Sequence, residues 1–357
     1  MILDSEVKSI LIVQLAGIGD LVMGIPTIKA LRNKYKDAYL GLLVISRSRQ
    51  LMAGNPYIDE MFVLDIKDTA LKHLFSKRGF VKVFKTLKEL RKLDFDIVIN
   101  LERISSWIGA FKMAIFFMLI GGKFWIGRDT DGRGFFFDFK IKEKTLEHKH
   151  QVELNLDVCR ALGVDIKEVK LDIPILDGDR IFISDFLKLH DISDKDVLIG
   201  FNPGAFRPSR RWFEGCWAGL AERLIKEYGC KIVITGDSSE QKMIEEIARL
   251  AGDKRLIIAT NFTLKQLTAL LERLRLFITN DSGPMHIAAA VQTPIIALFG
   301  PGDNYQFSPY PQSDKYIVIR KETNCRRPCY KFKCRNHKCM KLISVDDVLI
   351  AARRILT

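Results

Sequence analysis

The chain reads as an α/β protein built from two Rossmann-like halves, and three observations predict it. Short apolar runs alternate with helical ones through the first half, the same alternation restarts near residue 197, and each half opens on a strand that ends in a glycine turn. In the first half the runs are "SILIVQ" (9–14), "IPTIKALRNKY" (25–35), "AYLGLLVIS" (38–46), "MFVLD" (61–65), "VFKTLKELRKL" (83–93) and "FDIVINL" (95–101). In the second they run from "VLIGFNPGA" (197–205) through "FEGCWAGLAERLIKEYG", "KIVITGD", "EQKMIEEIARLAG", "LIIATN", "LKQLTALLERL", "LFITNDSG" and "MHIAAAV" to "TPIIALFG" (293–300). Strands separated by helices in this way imply βαβ units and parallel sheets. The stretch 171–196 is rich in Asp and Pro with weak periodicity, and it reads as the linker. The boundaries expected are a first domain over 1–180, a second over 181–343, and a terminal helix over 344–357. That helix opens with Ser344 as N-cap followed by two acids, and it is a candidate for packing back on the first domain.

At 357 residues, 48% of them hydrophobic and 28% charged, the chain can bury a core in each domain. A net charge of +13 points to an anionic partner, with a plainly solvated basic surface as the alternative. The cations are scattered and no zinc-finger or RNA-recognition signature is present, so nucleic acid is not expected. The opening "MILDSEVKSILIV" carries acids where a secretory leader has cations, so no leader is expected. The longest apolar stretch, "WIGAFKMAIFFMLIGG" (107–122), is too short to span a bilayer and contains Lys112. It reads as a packed helix or as a surface that leans on a membrane.

The two glycine turns differ in charge. "QLAGIGDLVMGIP" (14–26) is a strand–turn–helix of the kind that cradles phosphate, yet Asp20 stands at the helix mouth. The turn "FNPGAFRPSRRW" (201–212) instead carries Arg207, Arg210 and Arg211. A further helix mouth, "TNDSGPMH" (279–286), leaves backbone N–H groups at Ser282 and Gly283 where a diphosphate can dock. The later half is therefore the better anion site. Asp20 reads either as a general base for a bound hydroxyl or as a cap on its own helix. The third glycine of a dinucleotide fingerprint is replaced by Val22, which makes a nicotinamide oxidoreductase the least favoured class. Asp-x-Asp, a metal-binding pattern, occurs at Asp94–Asp96, Asp129–Asp131, Asp177–Asp179 and Asp194–Asp196, with none after a clear strand end, and is discounted.

"ILIVQLAGIGDLVMGIPTIKALR", "NPGAFRPSRRWFEGCWAGLAERL", "VITGDSSEQ" and "TNDSGPMHIAAAVQTPIIALFGP" together resemble glycosyltransferase family 9, the lipopolysaccharide heptosyltransferases, over nearly the whole chain. The resemblance implies a GT-B enzyme whose two Rossmann-like domains face each other across a cleft. It implies an inverting transfer of heptose from ADP-heptose to the Kdo or heptose of the lipopolysaccharide inner core, with no cofactor or catalytic metal required. Asp20 falls at the position of the catalytic base. Arg211, Glu240, Asp281, Ser282, Gly283 and His286 fall at donor-binding positions. Many relatives carry Lys where Arg211 stands, and a guanidinium makes a forked, planar contact that an ammonium does not. The acceptor is a lipid-anchored acidic glycan, so the expected setting is the cytoplasmic face of the inner membrane, with peripheral contact to anionic lipid and a monomeric enzyme. Competing readings are transfer from another nucleotide sugar, a two-Rossmann sugar-nucleotide epimerase or hydrolase, and a non-catalytic nucleotide-sugar-binding protein.

Several signals carry both a plain and a functional reading. Acceptor contacts are sought in the first half, at Gly19, Lys72, His73, Lys77, Arg78, Arg128 and Arg133, each of which also reads as ordinary surface. Glu240 alone would be a helix-start acid, His286 a packed histidine, and Asp281 a residue that orders its own turn. Trp212 and Trp217 read as packing. Cys325, Cys329, Cys334 and Cys339, spaced C-x3-C-x4-C-x4-C, depart from the paired C-x2-C of structural zinc. They read as reduced thiols in a packed loop, ahead of a zinc site or a disulfide, and seven cysteines in all suit a reducing compartment.

Overall fold

A computed structural model describes residues 7–64, 77–145, 148–164, 166 and 169–357, with backbone alone for 77–82. The chain divides into two compact units, 1–170 and 171–357. The first runs β1 (Ser9–Gln14), α1 (Ile18–Lys34), β2 (Tyr39–Ile45), α2 (Arg49–Met52), β3 (Glu60–Leu64), α3 (Lys77–Lys92), β4 (Ile97–Asn100), α4 (Trp107–Ile120), β5 (Phe124–Thr130), β6 (Phe139–Glu143) and α5 (Gln151–Ala161). The second runs α6 (Asp177–Leu189), β7 (Leu198–Asn202), α7 (Glu214–Tyr228), β8 (Lys231–Gly236), α8 (Gln241–Ala251), β9 (Leu256–Thr260), α9 (Leu264–Glu272), β10 (Leu276–Asn280), α10 (Gly283–Ala290), β11 (Ile295–Phe299), α11 (Asn304–Phe307), β12 (Tyr316–Arg320), α12 (Lys338–Lys341) and α13 (Val345–Leu356).

Each unit holds a six-stranded sheet, ordered β3-β2-β1-β4-β5-β6 in the first and β12-β11-β10-β7-β8-β9 in the second. Every pairing is parallel. Counted from its own first strand, each sheet has the same doubly wound order, so the α/β class with two Rossmann-like units of the GT-B type is the observed one. Parallel strands covered on both faces read as unbroken apolar runs, and β4, β7, β10 and β11 are buried at every residue. The order reverses between β1 and β4 in the first unit and between β7 and β10 in the second. Successive crossovers leave on opposite faces there, and a crevice opens beyond the strand ends.

The core of the first unit gathers Leu11, Val13, Leu43, Phe95, Val98 and Phe117, and that of the second Ile199, Phe201, Trp212, Trp217, Leu224, Ile278 and Leu298. Trp212 and Trp217 are packing residues, with ring centroids 5.3 Å apart and the Trp212 Nε1–H donating to the Ile343 carbonyl at 2.9 Å. Helix α1 starts at Ile18 and runs through Pro26, well ahead of the periodic stretch that marks it in sequence. No helix among the described residues is long and apolar enough to cross a membrane.

Three boundaries differ from expectation. The units part at 170/171, not 180/181. The stretch 171–196 holds α6 where a linker was expected: Asp177 and Asp179 occupy its first turn, and Ile183 and Leu187, one turn apart, are its buried stripe. The side chain of Arg180 pairs with Glu272 at 3.1 Å, tying α6 to α9. Finally, α13 packs into the core of the second unit. Its Val348, Leu349, Ala351 and Ala352 enter the second core, and Arg353 pairs with Glu227 on α7 at 2.8 Å. Ser344 is the N-cap that the sequence predicts. Its Oγ accepts from the Asp347 N–H at 3.1 Å, and the Asp347 carboxylate accepts from the Ser344 N–H at 2.8 Å. Ser344→Ala should cost about 1 kcal/mol of second-unit stability, read as a lower urea midpoint for that unit's transition.

Candidate active site

At the first reversal point the ends of β1 and β4 lie side by side, and two carboxylates occupy the place. Asp20 sits in the first turn of α1 with its Oδ2 accepting from the Gly17 N–H at 3.2 Å. It therefore caps its own helix, and the same bond fixes where its carboxylate stands. Glu102, two residues past β4, reaches across to β1 and accepts from the Ala16 N–H at 2.5 Å. Its pKa is pushed up to about 7 by burial and then by the charge of Asp20, against the Ala16 N–H and Arg128, which pull it down. Glu102 is a residue the sequence reading missed.

The acceptor candidates fare unevenly. Arg128, expected as an acceptor contact or a solvated charge, is 1% exposed. Its guanidinium donates to the Leu101 carbonyl at 2.9 Å and lies 3.6 Å from Glu143, so it braces the β4 end that carries Glu102. Arg133 holds its own loop, donating to the Ile104 carbonyl at 2.7 Å and to Thr145 Oγ1 at 3.1 Å. Gly19 lies in the first turn of α1 beside Asp20. Lys72 and His73 lie outside the described residues, and Lys77 and Arg78 open α3 with their side chains outside them too.

The second reversal point differs in carrying two arginines, each beside a buried carboxylate. Arg211 donates through Nε to the Ala205 carbonyl at 2.9 Å, and its Nη2 lies 3.3 Å from Glu240 Oε1. Glu240 is buried at the start of α8, wedged against two glycines. A Cβ on Gly204 would stand 2.2 Å from both its oxygens, and one on Gly236 would stand 3.0 Å from Oε2. Burial raises the Glu240 pKa, Asp237 adds to the rise, and the Asp237 N–H, Arg211 and the Ala205 N–H oppose it. Asp281 is buried and lies 3.0 Å from Arg210 Nη1. A Cβ on Gly302 would fall 2.0 Å from its Oδ2. Its carboxylate thus holds an arginine. Asn280 fixes the turn itself, accepting from the Trp212 N–H at 3.2 Å and donating to the Pro203 carbonyl at 2.7 Å.

No side chain caps α10. The Ser282 hydroxyl turns to Asn202 Oδ1 and Thr279 Oγ1, each at 3.4 Å, so the first turn of α10 keeps its partial positive charge exposed to an anion. His286 is buried in that turn's continuation. The structure thus gathers Arg211, Glu240, Asp281, Ser282 and Gly283 around the ends of β7, β8 and β10, with His286 one turn into α10. It adds Arg210, visible in the sequence only as one of three clustered arginines.

Cys325, Cys329, Cys334 and Cys339 are free thiols. No group of three or more His, Cys, Asp or Glu among the described residues is placed to hold a metal. The side chains diverge: Cys325 is exposed, Cys339 is buried on α12, and Cys334 accepts from the His337 N–H at 3.4 Å. The segment has another use. Ser209 donates its N–H to the Phe332 carbonyl at 3.2 Å and its hydroxyl to the Lys331 carbonyl at 2.7 Å, while Arg207 donates to the Tyr330 carbonyl at 3.0 Å. The cysteine loop fastens the arginine turn.

The sequence profile described as glycosyltransferase family 9 (heptosyltransferase) matches residues 83–340. The chain belongs to that family. Lipopolysaccharide heptosyltransferase 3 of Escherichia coli is 27% identical over 95% of this chain and 96% of its own length. The crystal structure of a family 9 glycosyltransferase from Veillonella parvula aligns with TM-score 0.78 at 27% identity, covering 98% of this chain and 97% of the other. The structure of the E. coli heptosyltransferase WaaC with ADP, 16% identical, shares the fold at TM-score 0.72 over 97% of this chain and 99% of its own.

The titration of Glu102 yields a prediction with a definite sign. A carboxyl that ionises near its ordinary value when unfolded but near 7 when folded makes the unfolded chain the weaker proton binder between those values. Stability therefore falls as pH rises through that window and stays lower above it. Glu102→Gln should raise the melting temperature relative to the parent at pH 8 and leave the two alike at pH 4.

Proposed function

We propose that this enzyme moves heptose from ADP-heptose onto the lipid-anchored inner core of lipopolysaccharide, with inversion at the anomeric carbon, at the cytoplasmic face of the inner membrane. One observation carries the reading: at equivalent reversal points of two like sheets, one unit bears the carboxylates of Asp20 and Glu102 and the other bears carboxylate-braced guanidiniums beside an uncapped helix start. That is the charge pattern of a displacement in which a hydroxyl loses a proton and a diphosphate departs. The names of the relatives, and the ADP in one shared-fold structure, support the choice of donor and acceptor.

In this mechanism the acceptor oxygen attacks the anomeric carbon as the bond from that carbon to the diphosphate breaks. The acceptor proton passes to Asp20, and ADP leaves. Direct attack by the acceptor, with no covalent sugar–enzyme intermediate, is a single displacement, which inverts the centre. Asp20 is held for the task by the Gly17 N–H. Glu102, neutral over much of the range below pH 7, adds no second negative charge beside it there. Negative charge growing on the diphosphate is met by Arg211 and by the Ser282 and Gly283 amides, with His286 one turn further in. Glu240 orients Arg211 and offers a buried acceptor to nucleotide hydroxyls. Asp281 acts one step back, by holding Arg210. A charged group of this kind lowers the barrier by roughly 3 kcal/mol.

Asp20→Asn should lower kcat by about 10²-fold or more while ADP-heptose still raises the melting temperature as it does for the parent. Arg211→Ala should lose both transfer and most of that thermal shift, and Arg211→Lys should restore part of each. Full transfer by Asp20→Asn would overturn the assignment of the base.

A further inference from the structure

The reaction leaves one feature unexplained: α4 is apolar on all sides. Its inward face, Ala110, Ala114, Phe117 and Ile120, is buried. The Phe117 ring centroid lies 5.7 Å from that of Trp125 and 5.5 Å from that of Phe137. Its other face consists of Trp107, Ile108, Phe111, Ile115, Met118 and Leu119, between 45% and 70% exposed. At the helical repeat these six fall within an arc of about 120°, so the exposure is one continuous stripe. Phe135 widens it, with its ring centroid 6.5 Å from that of Trp107 and 5.5 Å from that of Phe111. Lys112, at the edge of the stripe, is the only charged residue of the helix. A patch of this kind marks an interaction surface.

The charge beside it selects the occupant. Helix α3 packs against α4 and carries Lys77, Arg78, Lys82, Lys85, Lys88, Arg91 and Lys92 against the single acid Glu89. Lys85, Lys88, Arg91 and Lys92 are exposed, and Arg91 donates to the Met118 carbonyl at 2.7 Å, placing this cationic helix at the end of the stripe. A second copy docked face to face would set these cations against their own kind in a chain of net charge +13. An anionic lipid surface satisfies both halves, burying the aromatic and aliphatic stripe and pairing the lysines with headgroups.

We propose that α4 and α3 form the seat of this protein on an anionic bilayer surface. Helix α4, at 14 residues too short to span, lies in the interface plane with Trp107, Phe111 and Ile115 entering the acyl boundary. Lys85, Lys88, Arg91 and Lys92 of α3 stand at headgroup level. This inference rests on the surface alone and holds or falls apart from the reaction proposed above.

The test is sedimentation of the full chain with phosphatidylcholine vesicles, with and without phosphatidylglycerol. We expect binding to the anionic vesicles, weakened by salt, and little to the neutral ones. Phe111→Ser with Ile115→Ser should weaken binding about tenfold or more, with the melting temperature and the ADP-induced thermal shift unchanged. Brominated lipid should quench the fluorescence of the parent and far less that of Trp107→Phe. Unaltered vesicle binding by the double variant, or a solution dimer that the double variant dissolves, would overturn the proposal. Transfer to an acceptor stripped of its lipid should be the same for parent and double variant, which separates this outcome from failure of the catalytic reading.

Discussion

The architecture turns on what happens where a doubly wound parallel sheet reverses its order. The order reverses between β1 and β4, and again between β7 and β10, and in such a sheet the crossover helices depart there on opposite faces and the turns beyond the strand ends frame a crevice. Backbone groups there need side-chain partners, and buried polar side chains need backbone. Glu102 answers by taking the Ala16 N–H, and Asn280 by clasping both Pro203 and Trp212. The same geometric demand is met by Asp20 and Glu102 in one unit and by arginine–carboxylate pairs beside an uncapped helix start in the other, so a likeness of fold between the halves becomes a difference of chemistry.

The ionic groups at these places hold positions more than they add stability. Removing a charge pair from water costs several kcal/mol per ion before attraction offsets it. Arg128 with Glu143, and Arg210 with Asp281, are therefore better understood as braces. Each leaves a neighbouring charged group standing at a fixed height above the sheet. The glycines complete the device. Gly204 and Gly302 let backbone pass against the oxygens of Glu240 and Asp281, where any side chain would collide.

Much of this was legible in sequence because it is local. A strand followed by a glycine turn and a helix is contiguous, so Asp20, Arg211, Ser282 and Gly283 could be named from short stretches. Glu102 could not, because its meaning depends on β4 lying beside β1, which is a property of strand order. Arg128 looked like one more surface cation because nothing in "FWIGRDT" says that the end of β5 is covered. The Asp and Pro of 171–196 looked like a linker when the acids were first-turn residues of α6. The terminal helix showed its cap in sequence but not its place in the second core, since a helical period shows an apolar stripe but not what it meets. The late cysteines read as thiols of a packed loop, but nothing in their spacing showed that the backbone carbonyls of that segment hold the arginine turn.

That last segment works as a splint. Carbonyls of Tyr330, Lys331 and Phe332 grip Arg207 and Ser209, which lie more than a hundred residues earlier in the chain, and His337 meets the Ser209 carbonyl at 2.8 Å. The reach of the neighbouring guanidiniums is thus set by a stretch that contributes no reacting group. Alterations confined to 329–337 would leave both sheets whole and still loosen the arginine turn, so a defect at the end of β7 can originate far along the chain from it.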